Sequence, residues 1–219
     1  MTSSPKNLPS SPSLDRIALI VLAAGRSTRM GSPKALVELD GRPLLEHLLS
    51  PRLLRKFGDV VVVLGHHADV LRPVVERSGY RHVVNADPDR GRTGSVQEGL
   101  KAFRGTIDAA FVQPVDCPLI APDTYAALLD SVPAADIVIP SCQAKHGHPP
   151  LISAKLFPKI LAAGPDEPLR DILLESGVRR RYVEVNDPGV LLNVDRPEDL
   201  DQLATLYNAR HRSQGSGRK

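Results

Sequence analysis

The stretch Ile17-Ala-Leu-Ile-Val-Leu-Ala-Ala-Gly-Arg-Ser-Thr-Arg-Met-Gly-Ser-Pro-Lys-Ala-Leu36 changes character at Gly25. Residues 17–24 are uniformly apolar. That is the composition of a strand covered on both faces, and so of a parallel sheet packed between helices. Residues 25–34 are polar and basic, with Gly25 and Gly31 bracketing a loop that carries Arg26, Arg29 and Lys34. Glycine lets the backbone approach a ligand closely, and three cations over nine residues suit a polyphosphate. A basic turn in solvent is the ordinary alternative. A loop leaving the first buried strand of an α/β sheet, however, lies where such sheets bind ligands. The spacing matches neither familiar phosphate loop: G-x-G-x-x-G is absent, and with five residues between the glycines and Ser-Pro before Lys34 so is G-x-x-x-x-G-K-[ST]. Arg16 and the apolar run superficially resemble a secretory signal, but the run is short for one. The loop behind it reads as functional, so no cleavage is expected.

Outward from this stretch, apolar β-rich runs recur at 60–64, 82–84, 109–115 and 137–139. Between them, 44–57, 68–77, 95–103 and 123–129 have helical spacing. This alternation predicts an α/β fold: a doubly wound, mostly parallel sheet with helices on both faces. Residues 179–185 and 190–194 read as two more strands, with an antiparallel excursion, and Pro197-Glu-Asp-Leu200 opens a last helix. A Ser/Pro-rich tail is expected over 1–14, one domain over 15–210, and a basic tail over 211–219.

The chain has 219 residues, 42% hydrophobic and 24% charged, which is enough to bury a core without staples. Its net charge of +3 is misleading, because Arg210–Lys219 carries four basic residues and no acidic one. The remainder is almost neutral, and with no Trp and few Tyr or Phe it offers no nucleic-acid platform. No run is long enough to span a membrane. Two isolated cysteines, Cys117 and Cys142, exclude a disulfide framework and suit the cytoplasm.

The pattern L-A-A-G-x-S-x-R-M-G-x-P-K at 22–34 resembles the MobA-like nucleotidyltransferases, in the branch that handles molybdenum cofactor. Four further stretches agree in order. Asn85 with Gly94-Ser95 resembles a nucleotide-contacting segment, and Pro114-Val-Asp-Cys-Pro-Leu119 resembles a metal-binding Asp loop. Gly147-His-Pro149 resembles a segment of the cytidylyltransferase branch, and Leu192-Asn-Val-Asp-Arg-Pro-Glu-Asp-Leu200 resembles a second metal motif.

The resemblance implies Mg²⁺-dependent transfer of CMP from CTP to molybdopterin, with a molybdenum hydroxylase or its chaperone receiving the product. Lys34 and Arg29 would act on the phosphates. Leu22, Ala23, Ala24, Gly25, Arg26, Ser27, Asn85, Gly94, Ser95 and Asp116 would line the nucleotide site, Asp116 and Asp195 would hold the metal, and His148 would meet the second substrate. Ala24, where the guanylyl branch typically has glycine, would favour the smaller base. Asn193 departs from the Asp-x-Asp form of many cytidylyl members.

Physical chemistry supplies alternatives. Asp116 and Asp195 each end an apolar run, where a carboxylate needs a partner, yet either could cap a helix. Ser95 could cap a helix, Asn85 could be a turn residue and His148 could merely stiffen its loop. Cys117 reads as packing, and the adjacent His66 and His67 point apart and do not suit a metal. Competing functions are a sugar- or alcohol-phosphate nucleotidyltransferase of the same fold, a guanylyltransferase acting on molybdenum cofactor, and a nucleotide-binding chaperone module without catalysis.

Overall fold

The strand at Ile17–Ala23 (β1) is buried along its whole length, as an uninterrupted apolar run requires. The computed structural model describes residues 13–28, 30–50 and 52–215. The strands that follow are β2 (Glu38–Leu39), β3 (Arg42–Pro43), β4 (Asp59–Leu64), β5 (Arg81–Val84), β6 (Ala109–Pro114), β7 (Ile137–Cys142), β8 (Lys145–His146), β9 (Leu151–Ser153) and β10 (Arg180–Glu184). The helices are α1 (Leu44–Leu49), α2 (Ala68–Arg77), α3 (Arg92–Lys101), α4 (Pro122–Leu129), α5 (Phe157–Ala162), α6 (Leu169–Leu174) and α7 (Asp199–Gly215).

The main sheet has the order β10-β7-β9-β6-β1-β4-β5, with β8 paired to β7. β1 is parallel to β4 on one side and to β6 on the other. The chain therefore builds outward from β1 through β4 and β5, then returns to β1's other edge. The loop after β1 sits at that reversal of strand order, the expected ligand position of an open α/β sheet. Only β8 and β9 run antiparallel within this sheet.

Alternation along β1 feeds two cores. Leu19 and Val21 face Leu45, Leu71 and Leu128 from α1, α2 and α4. Ile20 and Leu22 face Val96, Ile160 and Ile172 from α3, α5 and α6. Helices thus cover both faces. Gly99 lets α3 lie close to β1, since a Cβ there would come 2.7 Å from Ile20 Cγ2.

The mostly parallel, doubly covered sheet is the one the alternation predicts, but several boundaries differ. Residues 190–194 are not a strand: a 3-10 turn covers Pro188–Leu191, and Val194 N–H donates to the Asp116 carbonyl (2.9 Å). The segment is apolar because Val190 and Val194 are buried, and burial of irregular chain leaves the same signature as a strand. The antiparallel excursion is β9, only three residues long, wedged between β6 and β7. The 44–57 helix stops at Leu49 and a 3-10 turn follows over Arg52–Lys56, because Pro51 has no N–H to continue the ladder. α3 starts at Arg92, ahead of Ser95, and α7 starts at Asp199. α7 runs through 215, into the stretch read as a basic tail, and a 3-10 turn covers Leu14–Arg16. The rest of both tails, 1–12 and 216–219, lies outside the described residues.

Candidate active site

Lys34 ends the loop after β1 by opening a 3-10 turn over Lys34–Leu36. Its backbone N–H donates to Ser27 Oγ (2.9 Å), and Ser27 holds a left-handed φ of 55°, so the loop folds back on itself. The fold-back aims the Lys34 ammonium across the carboxyl ends of the strands. Nζ lies 2.5 Å from Asp195 Oδ1 and 3.8 Å from Asp116 Oδ2. Asp116 follows directly after β6, and the bond from Val194 N–H to the Asp116 carbonyl sets Asp195 beside it.

Neither aspartate is a helix cap. α4 begins at Pro122 and α7 at Asp199, and the Asp199 carboxylate accepts from the N–H groups of Asp195 and Arg196, both at 2.7 Å. The Cys117 thiol donates to Asn193 Oδ1 (2.6 Å), which fastens the two aspartate-bearing segments together. Burial, with Asp116 adding to it, pushes the thiol pKa far above its ordinary value, so Cys117 is a packing group and not a nucleophile.

Leu22, Ala23, Ala24, Gly25, Ser27, Lys34, Ser95 and Asp116 line one cleft over the end of β1. Ala24 is nearly buried and its methyl packs on Gly65, where an added Cβ would come 2.8 Å from the Ala24 Cβ.

Three expected nucleotide residues are placed otherwise. Arg26 forms a fork-on-carboxylate pair with Asp89, Nε to Oδ1 at 2.6 Å and a second bond through Nη2. That contact holds the Asp89 carboxyl down at about 2. Asn85 and Gly94 line a separate, shallow cleft with Pro165. The Asn85 amide is satisfied internally: its Nδ2 donates to Ser95 Oγ (3.0 Å) and its Oδ1 accepts from Asp87 N–H (3.0 Å). Ser95 accordingly accepts from Asn85 inside α3 and does not cap it. Arg29 lies outside the described residues. His66 and His67 bond Asp89 Oδ1 (2.8 Å) and the Arg26 carbonyl (3.0 Å), contacts that brace the loop.

A second cavity of about 730 Å³ adjoins the first, and the two share Gly91, Arg92 and Pro114. Val112, Ile139, Leu169 and Leu173 make much of its wall, and His148 lines it. The His148 backbone N–H donates to the Val190 carbonyl (2.8 Å), and its buried Nδ1 has no partner among the described residues. Burial first, then the charge of Arg92, lowers the His148 pKa, so the ring is neutral at pH 7.

Residues 19–185 match the family model of the MobA-like NTP transferase domain. The chain belongs to this family. Its fold is shared by a solved nucleotidyl transferase from Methanothermobacter, 25% identical at a TM-score of 0.75, covering 88% of this chain and 98% of that one. The molybdenum cofactor guanylyltransferase of Vibrio cholerae is 29% identical over 195 residues, 86% of this chain and 91% of that protein. The bifunctional protein GlmU of Roseobacter denitrificans is 33% identical over 130 residues, 57% of this chain. The chain spans only about a quarter of the GlmU relatives it matches. Among solved structures, Rv0371c of Mycobacterium tuberculosis shares 27% identity at a TM-score of 0.77, covering 87% of this chain and 98% of that one. Rv0371c has also been solved in complex with manganese.

Some residues of this MobA-like cleft gave no sequence signal strong enough to single them out. Arg92 lines both cavities from the first position of α3, the positive end of the helix, where a cation is electrostatically disfavoured. Its placement directly after Gly91 was the one available hint. Tyr182 and His146 stack with centroids 4.0 Å apart and planes 16° apart at the rim of the second cavity. They lie far apart in sequence, on β10 and β8, and only the pairing of both strands with β7 brings them together.

Proposed function

We propose that this protein transfers CMP from CTP to molybdopterin and releases pyrophosphate. The observation that carries the reading is the convergence of Lys34, Asp116 and Asp195, from three separate segments, on one point beside the loop after β1. A phosphate oxygen of the acceptor attacks the α-phosphorus. A new P–O bond forms as the bond from the α-phosphorus to the bridging oxygen breaks, and pyrophosphate leaves with the electron pair. No protein nucleophile is needed, so the residues act by alignment and charge. Lys34 offers its ammonium to the phosphates in exchange for its present carboxylate partners. Gly25 and Ser27 shape the backbone around them, and Arg29 is assigned to the same phosphates.

The donor set fits a hard divalent cation. Both carboxylates reach one ammonium, so one cation can lie between them. Mg²⁺ is ordinarily held by one or two carboxylates together with substrate phosphates, and Asp116 and Asp195 would supply those carboxylates. Mg²⁺ held by Asp116 and Asp195 would neutralise phosphate charge.

The adjoining cavity, with His148, takes the acceptor. The choice of CTP rests on Ala24, which lines the cleft at the end of β1 and adds a methyl that glycine would lack there. GTP is the second reading, favoured by the near full-length relatives named as guanylyltransferases. Pyrophosphate release from CTP and GTP, with Mg²⁺ and molybdopterin, tests both. A preference for CTP of about 10–200-fold in kcat/KM is the scale for one methyl group, and Ala24→Gly should shrink it. Equal values for CTP and GTP would leave nucleotidyl transfer standing and remove the cytidylyl assignment. The described residues contain no helix long and apolar enough to cross a membrane.

A further inference from the structure

The two ends of the main sheet differ in cover. β5 closes one end and is half-buried, with Arg81 donating to the Asp59 carboxylate (2.5 Å) and to the Ala102 carbonyl (3.1 Å). β10 closes the other, and four of its five residues are exposed. The odd-numbered residues of this segment bond to β7. Ile137 N–H donates to the Arg179 carbonyl (3.1 Å), and Val185 N–H donates to the Ser141 carbonyl (2.8 Å). By strand alternation, the N–H and C=O groups of Arg180, Tyr182 and Glu184 point away from β7, along the open edge. Among the described residues, no backbone bond from outside the sheet reaches them. An open edge is a template for another strand, and charged residues ordinarily guard it by repelling whatever strand approaches. Arg180 and Glu184 do not guard it against a copy of itself, because these opposite charges stand symmetrically about Tyr182.

We propose that β10 pairs antiparallel with the β10 of a second copy of this chain, in the register centred on Tyr182. Tyr182 then faces the partner's Tyr182, and Arg180 faces the partner's Glu184. Each is a pair that exchanges both N–H···O bonds, with Cα atoms about 5.5 Å apart. Opposite charges directly across two strands attract, and the twofold axis makes the Arg180–Glu184 pair twice. A shift of two residues removes both ion pairs, and a shift of one sets free backbone groups against groups already bonded to β7. One register alone satisfies backbone and charge together. Both side chains are available for it. Arg180 makes only a long 3.4 Å bond to the Glu175 carbonyl among the described residues, and the Glu184 carboxylate accepts from Gln143 N–H (2.8 Å) through one oxygen. The eight-stranded sheet becomes continuous across two protomers. Tyr182 rims the second cavity, so the partner's Tyr182 comes to that rim as well.

Sedimentation velocity of the full chain over a micromolar concentration series tests the pairing, with hydrogen exchange across 180–184 followed by mass spectrometry. The protein should pass from monomer to dimer as concentration rises, and exchange across 180–184 should slow in step. Glu184→Arg sets like charges opposite one another and should raise the dimer Kd by at least about tenfold. Combining it with Arg180→Glu restores opposite charges in the same register and should return Kd to within about threefold of wild type. Tyr182→Pro removes an N–H that faces away from β7, so it should leave a folded monomer. Thermal melting reports whether each variant is folded. A wild-type protein that stays monomeric throughout the series overturns the assignment. So does a dimer that Glu184→Arg leaves intact, or one that the folded double variant fails to restore.

Discussion

The two halves of the sheet are built differently. Around β1, the strands β4, β5 and β6 are all parallel, and one contiguous stretch from Leu22 to Ala35 supplies the largest single block of the cleft over the end of β1. Around β7, the chain inserts antiparallel β8 and the three-residue β9, and its cavity collects side chains from 91–92, 112–114, 139, 146–150, 166–174 and 182. A cleft centred on one loop depends first on that loop's own turn and on the strand it leaves. A site gathered from many segments depends on the contacts that hold those segments in register.

That contrast is most open to attack at Asp187. Its buried carboxylate accepts from the N–H groups of Ala121 (2.8 Å) and Gly189 (2.9 Å) and from Thr124 Oγ (2.7 Å), and it pairs with Arg210 of α7. Asp187→Ala should cost about 3–5 kcal/mol, the usual range for breaking a buried ion pair. Urea denaturation measures it. A loss below about 1 kcal/mol, the worth of an ordinary surface pair, would mean that the β7 half does not depend on long-range ties. On the β1 side the corresponding test is chemical. Lys34→Ala should lower kcat by about 10²-fold or more with a far smaller change in CTP affinity. Normal turnover in a folded variant would remove Lys34 from the chemistry.

Asp116→Asn and Asp195→Asn sharpen the comparison at the point where the halves meet. Each should lose at least about tenfold in activity and raise the Mg²⁺ concentration needed, which a Mg²⁺ titration of wild type and both variants will read. Unchanged Mg²⁺ dependence would limit both residues to positioning Lys34. The smallest effect is expected from the Arg26–Asp89 clasp. Because the Asp89 carboxyl is depressed to about 2, the clasp is complete above the ordinary carboxylate range and loosens as pH falls from about 4 through 2. An NMR titration of the Asp89 carboxyl follows it directly. Asp89→Asn frees the Arg26 guanidinium at neutral pH and should tighten CTP binding by about two- to fivefold if Arg26 can reach the phosphates, the scale of an exposed charge contact. No change would assign Arg26 to bracing the loop with His66 and His67.

The chain's own sequence was sufficient for the α/β class, and it singled out Lys34, Asp116 and Asp195, which the structure brings together beside the loop after β1. Each of these follows from a local rule: an apolar run must be covered on both faces, and a carboxylate or cation at the end of such a run must find a partner. Tertiary structure alone decided which partner. Arg26 went to Asp89, 63 residues away, and Asn85 turned inward to Ser95. The apolar stretch 190–194 packed as irregular chain along the Asp116 loop, while three residues at 151–153 took the place of a central strand. The physical reason is common to all four. Burial writes the same apolar signature for a strand and for a buried loop, and an arginine or asparagine side chain looks the same in sequence whether it meets a ligand or another residue. Only the packed chain brings its partner within reach.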